Sequence, residues 1–159
     1  MTGGAPRIGI DLVRIDRLSR AGVADDLVAR AVLGEAELRW ALADPGSAVG
    51  LAAGVALKEA TVKCAGGRWS GFDWRHIRIV RARPGLGRDP AEAMVAGLRV
   101  DRCRPVTIRF PGVDGTRRAR GAWGRCADRG ADLVVAVVVA DQLAVIGDPS
   151  RGRGGGWAC

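Results

Sequence analysis

Residues 57–63 of this chain are LKEATVK, and they contain both of its lysines, Lys58 and Lys63. The chain has 25 basic residues, so the remaining 23 are arginines. An ammonium group is a compact charge that can approach a phosphate or exchange a proton, whereas a guanidinium stays protonated and prefers planar, bidentate partners. Two lysines on either side of Glu59 therefore indicate a site that needs ammonium chemistry.

A long helix is predicted around this stretch, from about Ala48 to Cys64. Ser47 can cap its first turn, and Gly66-Gly67 is typical of a helix end. In such a helix Glu59 and Lys63 are four residues apart and share a face, with the other lysine on the edge of that face. The alternative is an ordinary solvated pair between Glu59 and Lys63, worth about 0.2–0.5 kcal/mol.

An acidic residue near the N-terminus belongs to the same hypothesis. Ile8 to Ile15 is predicted to be a strand, and Asp11 lies inside it, where a carboxylate is unfavourable unless a cation compensates it. Asp11 and the helical carboxylate and ammonium groups can together form a site for a divalent metal and phosphates. Magnesium suits such a site because it accepts one or two carboxylates, keeps waters and takes phosphate oxygens for the rest.

The remaining chain is predicted to form further helices and strands. Two helical pieces are expected within Asp25–Ala43, divided near Gly34, and a short helix within Ala91–Leu98. Strands are expected at His76–Arg81, Val106–Phe110, Arg118–Cys126 and Leu133–Ala140, with the last two joined at Asp128-Arg129-Gly130 as a hairpin.

Length and composition indicate one domain, at residues 1–146, followed by a flexible Gly/Arg-rich tail at 147–159. No apolar run reaches the roughly 18 residues of a membrane span, and the N-terminus lacks the pattern of a secretory signal. A cytoplasmic location is therefore expected. The four cysteines are widely separated without a Cys-x-x-Cys pair, so we interpret them as reduced thiols.

The formal net charge of +8 implies attraction to an acidic partner, a nucleic acid or an anionic cofactor. Aromatic residues make up 4% of the chain, which argues against nucleic acid because single-strand readers need a stacking platform. The alternative for most of the arginines is a compositional bias of the source rather than a function.

The order of these parts resembles the holo-acyl-carrier-protein synthase family, the small 4′-phosphopantetheinyl transferases. The resemblance covers roughly residues 8–80 and consists of Gly9-Ile10-Asp11 in the first strand, the acidic helix start at 35–38, and Lys58-Glu59-Ala60-x-x-Lys63. It implies an α+β fold in which an antiparallel sheet packs with a long central helix. It also implies a homotrimer with active sites at the subunit interfaces.

The resemblance implies a role for each residue of the site. Asp11 and Glu59 would bind magnesium, and Lys58 and Lys63 would contact the phosphates of coenzyme A. Asp11, Glu59 and Lys63 would be catalytic, with Lys63 helping 3′,5′-ADP to leave. The acceptor would be the serine of an acidic acyl or peptidyl carrier protein, which attacks the β-phosphate of coenzyme A.

Carrier proteins of such systems present an acidic helix, and basic residues follow the first strand. Arg14, Arg17 and Arg20 come at three-residue steps that could line one face, and Arg17 occupies a position where the family commonly keeps a carrier-contacting basic residue. The alternative for these arginines is a generic solvated face.

The sequence departs from the family pattern in three places. Gly54 and Val55 stand where the family has arginine and phenylalanine, and Ala127 stands where it has a histidine. His76, the single histidine, is expected to be a half-exposed sheet residue rather than a replacement. Residues 83–104 are expected to be an insertion.

Two other functions follow from these departures. One is a divergent relative that has lost the transfer and acts on, or binds, a thioester of coenzyme A or of a carrier protein in specialised metabolism. The other is a non-catalytic basic module that docks an acidic partner or nucleic acid.

Overall fold

The structure is a computed structural model of the chain. It describes residues 6–19, 31–43, 47–66, 73–81, 90–98, 100–112 and 115–140. Some of the predictions fall outside the described residues. They concern the tail at 147–159, the helix at 25–30, Arg20 and Gly67.

One five-stranded sheet forms the centre of the described part of the chain. Its strands are paired antiparallel throughout, in the order β1-β5-β4-β3-β2. The strands are β1 (Arg7–Arg14), β2 (Arg78–Arg81), β3 (Asp101–Gly112), β4 (Gly115–Asp128) and β5 (Ala131–Ala140). β1 and β2 are the edge strands, and β5 lies inside the sheet, as its unbroken apolar run from Leu133 to Ala140 predicts.

Four helices have both ends within the described residues. They are α1 (Ile15–Ser19), α2 (Glu35–Leu42), α3 (Ser47–Cys64) and α4 (Pro90–Gly97). α3 lies across β1 and β5 on one side of the sheet and is covered in part by α2. Within the described residues, no helix is both long enough and apolar enough to cross a membrane.

Small residues let α3 approach the sheet closely. Four of its alanines are fully buried: Ala52, Ala53, Ala56 and Ala60. The closest approach is at Gly9, where a Cβ atom would lie 1.9 Å from the Ala60 carbonyl oxygen and 2.6 Å from the Cys64 amide nitrogen. Only glycine fits there, so the start of β1 fixes how near α3 can come.

α4 packs on the opposite side of the sheet, which we call the α4 face. Ala91 and Val95 of α4 form a second small core with Ala122, Val137 and Val139. Cross-strand pairing places Ile8, Ile10 and Leu12 on the same face, beside β5. These three side chains are exposed, at 49%, 41% and 58%.

The structure agrees with most predicted elements and corrects two. The β4–β5 hairpin turns at Arg129 and Gly130, both with positive φ, as the sequence predicts. His76 does not begin a strand: it lies in the 3-10 turn Trp74–His76, which Asp73 caps by accepting a hydrogen bond from the Arg75 amide. β3 begins at Asp101, within the segment predicted to be an insertion.

Candidate functional site

Asp11 of β1 and Lys63 of α3 meet in an ion pair. Lys63 Nζ lies 2.6 Å from Asp11 Oδ1, and it also donates to the Ile10 carbonyl oxygen at 3.2 Å. The Asp11 side chain is 14% exposed, whereas that of Lys63 is 52% exposed. The cation that a carboxylate in an apolar strand needs is therefore Lys63, 52 residues away in sequence.

The backbone brings these two residues together. Alternation along β1 points Gly9 and Asp11 to the same side of the sheet, toward α3. Because the missing side chain of Gly9 lets the last turns of α3 touch β1, Asp11 lies beside the turn that carries Lys63.

Glu59 completes the cluster from the preceding turn of α3. Its pKa is raised, first by partial burial and then by the negative charge of Asp11, against the lowering effect of the Lys63 ammonium. The carboxylates of Asp11 and Glu59 are therefore close enough to repel each other, and the ammonium group of Lys63 attracts both. The structure brings together all three residues that the sequence suggests as catalytic.

This donor set fits a magnesium ion. Magnesium is usually held by one or two carboxylates, with waters and substrate phosphates filling its other positions. Asp11 and Glu59 supply two carboxylates whose mutual repulsion a divalent cation would relieve. Among the described residues no group of three or more His, Cys, Asp or Glu could hold a metal ion, so these two carboxylates would be a partial set of ligands.

Lys58 is not part of this cluster. Neighbouring residues on a helix point about 100° apart, and here that rotation turns Lys58 into the protein interior. Its side chain is 0% exposed, and its Nζ lies 2.6 Å from Glu37 Oε2, 2.7 Å from the Val32 oxygen and 2.9 Å from the Trp74 oxygen. Three N–H groups meet three protein oxygens, so none is left for a phosphate. Burial lowers the pKa of Lys58, against the raising effect of Glu37.

Sequence reasoning missed the importance of Glu37. This buried carboxylate accepts hydrogen bonds from the Gly34 amide at 2.9 Å and from the Ile79 amide at 2.7 Å, besides its pairing with Lys58. It thereby joins α2, α3 and β2. A signal was present, because an acidic residue three positions after a helix N-cap commonly reaches back to the cap backbone.

The two arginines expected to bind a carrier protein lie just beyond Asp11. Arg14 ends β1 and makes a two-pronged contact with Asp16, at 3.0 and 2.8 Å, while Arg17 is exposed on α1. They belong to a strand and a helix respectively, so they do not line one face of a single helix.

The structure gives a physical reason for one departure from the family pattern. Gly54 is buried, and a Cβ atom there would lie 2.8 and 3.0 Å from the two methyl carbons of Leu33. Leu33 fills the space that a side chain at this position would need, so arginine could not be accommodated without repacking. Ala127, at the histidine position, is exposed near the end of β4.

Comparison with known proteins finds similar structures but no similar sequences. No family model matches the chain, and no curated protein matches it. Among solved structures, 37 chains match. Holo-[acyl-carrier-protein] synthase from Thermotoga maritima has a TM-score of 0.50 at 20% identity, over 86% of this chain and 64% of that chain.

Two further matches bear the same description. The synthase from Neisseria meningitidis has a TM-score of 0.48 at 23% identity, over 86% of this chain and 98% of that one. The synthase from Helicobacter pylori, solved in complex with coenzyme A, has a TM-score of 0.48 at 18% identity, over 84% and 99% of the two chains.

At these identities the likeness concerns the fold. The antiparallel five-stranded sheet with a long helix across it is the fold of holo-[acyl-carrier-protein] synthase, as the Thermotoga match shows. The predicted α+β fold is therefore confirmed.

Proposed function

We propose that this protein is a 4′-phosphopantetheinyl transferase, which moves 4′-phosphopantetheine from coenzyme A to a serine of a carrier protein. The observation that carries the proposal is the cluster of Asp11, Glu59 and Lys63, formed where β1 touches α3. Two carboxylates and an ammonium group at a half-exposed position are suited to a pyrophosphate and a divalent cation.

The reaction needs little covalent help from the protein. The serine oxygen forms a bond to the β-phosphorus of coenzyme A, and the bond from that phosphorus to the bridging oxygen breaks. The leaving group is 3′,5′-ADP, and the serine proton is released. Positioning and charge neutralisation are the main requirements of such a transfer.

Each residue of the cluster has a part in this proposal. Asp11 and Glu59 would hold the magnesium ion, which supplies positive charge at the pyrophosphate. Lys63 is half exposed and flexible enough to turn from Asp11 to the phosphate of the leaving group, where its charge offsets the developing negative charge.

The carrier protein would approach from the end of β1. Arg14 lies three residues beyond Asp11, about 10 Å along an extended strand, and Arg17 follows in α1. A partner with an acidic helix could contact Arg17 directly and Arg14 by displacing Asp16. We expect this chemistry to take place in the cytoplasm and in a homotrimer.

The test is mass spectrometry of a carrier protein incubated with the enzyme, coenzyme A and magnesium. The carrier should gain one phosphopantetheinyl group, and Glu59→Gln should abolish the gain because it removes a charged ligand while keeping the side-chain shape. Glu35→Gln is the matched control, since that carboxylate is 87% exposed at the start of α2. No gain with any of several carriers, or normal turnover by Glu59→Gln, would contradict the proposal.

The packing at Gly54 favours a second candidate function. The protein would be a relative that binds a thioester of coenzyme A or of a carrier protein without transferring the phosphopantetheinyl group. Absence of the arginine that the family has at this position would weaken phosphate contacts while leaving the cluster in place. Retention of coenzyme A by the purified protein, together with an unmodified carrier, would favour this candidate.

A further inference from the structure

Three arginines form a row across the α4 face of the sheet. Arg78 of β2 is paired with Arg109 of β3, and Arg109 is paired with Arg118 of β4. Residues directly opposite in antiparallel strands point to the same face, so the three arginine side chains leave the sheet side by side. All three side chains are exposed. We call Arg78, Arg109 and Arg118 the arginine row.

The row is uncompensated within the described part of the chain. Like charges directly opposite each other destabilise a sheet, and none of the three has a carboxylate partner among the described residues. Arginines elsewhere do: Arg39 pairs with Glu35, and Arg125 on the same strand as Arg118 pairs with Asp132. The repulsion in the row would be relieved by carboxylates from another molecule.

We propose that the arginine row binds an acidic α-helix of a partner protein, lying across β2, β3 and β4. Neighbouring strands are about 4.8 Å apart, so the row spans about 10 Å. On an α-helix, residues i, i+4 and i+7 share a face and span about 10.5 Å. Three glutamates or aspartates at those positions match the three guanidinium groups, which favour bidentate contacts with carboxylates.

The surroundings of the row favour a protein partner over nucleic acid. The adjacent row on the same face consists of Val80, Thr107 and Arg120, so an apolar and a short polar side chain lie beside the arginines. Val80 is 42% exposed and offers contact area to an amphipathic helix. The described residues on this part of the face include no aromatic side chain on which a base could stack.

The row is distant from the Asp11 cluster. Asp11 faces α3 from the edge strand β1, whereas the row is on the opposite side of the sheet and toward the other edge. α4 covers the face between them, over β4 and β5. The row is therefore a second interaction surface, and it does not depend on the proposed catalytic function.

The experiment measures binding of a fluorescently labelled helical peptide by anisotropy. The peptide carries glutamates at i, i+4 and i+7 on one face with leucines beside them, and a scrambled peptide of the same composition is the comparison. Arg109→Gln/Arg118→Gln should weaken binding about tenfold, because two exposed charge pairs are lost. Arg39→Gln/Arg75→Gln removes the same charge from two arginines that have acidic partners, and it should bind like the unchanged protein.

Three results would overturn the proposal. The first is no measurable binding of the helical peptide, and the second is equal binding by Arg109→Gln/Arg118→Gln. The third is tighter binding of a labelled single-stranded oligonucleotide, with a steep salt dependence that the same double variant loses, since that would assign the row to nucleic acid. Circular dichroism of each variant verifies that the fold is kept.

Discussion

Lys58 Nζ lies 2.6 Å from Glu37 Oε2 in the protein interior, where the two side chains are 0% and 7% exposed. A buried pair of this kind is strongly destabilised when one member is removed, because the other charge is left without a partner. Lys58 therefore acts on stability, while Lys63, five residues later in the same helix, is half exposed.

Lys58→Met should lower the free energy of unfolding by about 3–5 kcal/mol, since the Glu37 carboxylate would stay buried without its ammonium. Arg39→Met, in the exposed ion pair with Glu35, is the control and should cost about 1 kcal/mol or less. Urea denaturation measures both. Adding Glu37→Gln to Lys58→Met should cost much less than the sum of the single changes, whereas additive losses would show that the two groups are not coupled.

Lys63→Met should reduce carrier modification about 10²–10³-fold, the usual loss when a charge that stabilises a transition state is removed. Lys63→Arg should not restore full activity, because a planar guanidinium cannot replace a compact ammonium beside Asp11. The measurement is kcat/KM from carrier modification at saturating coenzyme A. Normal turnover by Lys63→Met would exclude a part for Lys63 in the chemistry.

Gly9→Ala should destabilise the protein by about 3 kcal/mol or more and should also impair activity, because its Cβ would collide with the backbone of α3 at Ala60. Gly97→Ala is the control: a Cβ there meets nothing within 4 Å, and alanine in the last turn of α4 should stabilise it by a few tenths of a kcal/mol. Thermal unfolding of both variants compares them. If Gly9→Ala and Gly97→Ala both changed the unfolding temperature only slightly, α3 and β1 would have room to separate.

The expected homotrimer can be tested at the exposed apolar residues of β1. Ile8→Lys/Leu12→Lys should reduce the mass of the assembly, because charges on an edge strand oppose association through it. Leu42→Lys/Leu98→Lys changes a residue of α2 and a residue just after α4, which are similarly exposed at 46% and 49%, and it should leave the mass unchanged. Light scattering after gel filtration gives the mass, and a monomeric unchanged protein would refute the homotrimer.

The thiol of Cys126 should react slowly at neutral pH. Burial, and then the charges of Asp128 and Asp132, raise its pKa, so less of the reactive thiolate is present at a given pH. Asp128→Asn should shift its alkylation profile to lower pH. Cys64 is the internal control, because its pKa is raised by burial first and no contribution comes from Asp128. Peptide mapping after timed iodoacetamide treatment follows each thiol, and an unmoved Cys126 profile would contradict this assignment.

The sequence predicted the elements whose cause is local. Alternation in β1, the glycine at the end of α3 and the turn at Arg129-Gly130 are local patterns, and the structure contains each of them. The pairing of Asp11 with a cation also followed from sequence, because a carboxylate within an apolar strand needs one.

Two features of the structure could not be predicted from local sequence patterns, because they depend on tertiary contacts. The inward position of Lys58 could not be predicted, because lysine is almost never fully buried and its three acceptors come from distant segments. The family resemblance instead favoured a phosphate contact. The arginine row likewise depends on strand register, which brings together residues 78, 109 and 118.

The contact between Gly9 and Ala60 has a consequence for catalysis. It lies two residues from Asp11 and one from Glu59, so backbone packing sets how far apart the main chains that carry these two residues lie. Under the proposed function, selection for the geometry of the site would act on a residue that has no side chain at all.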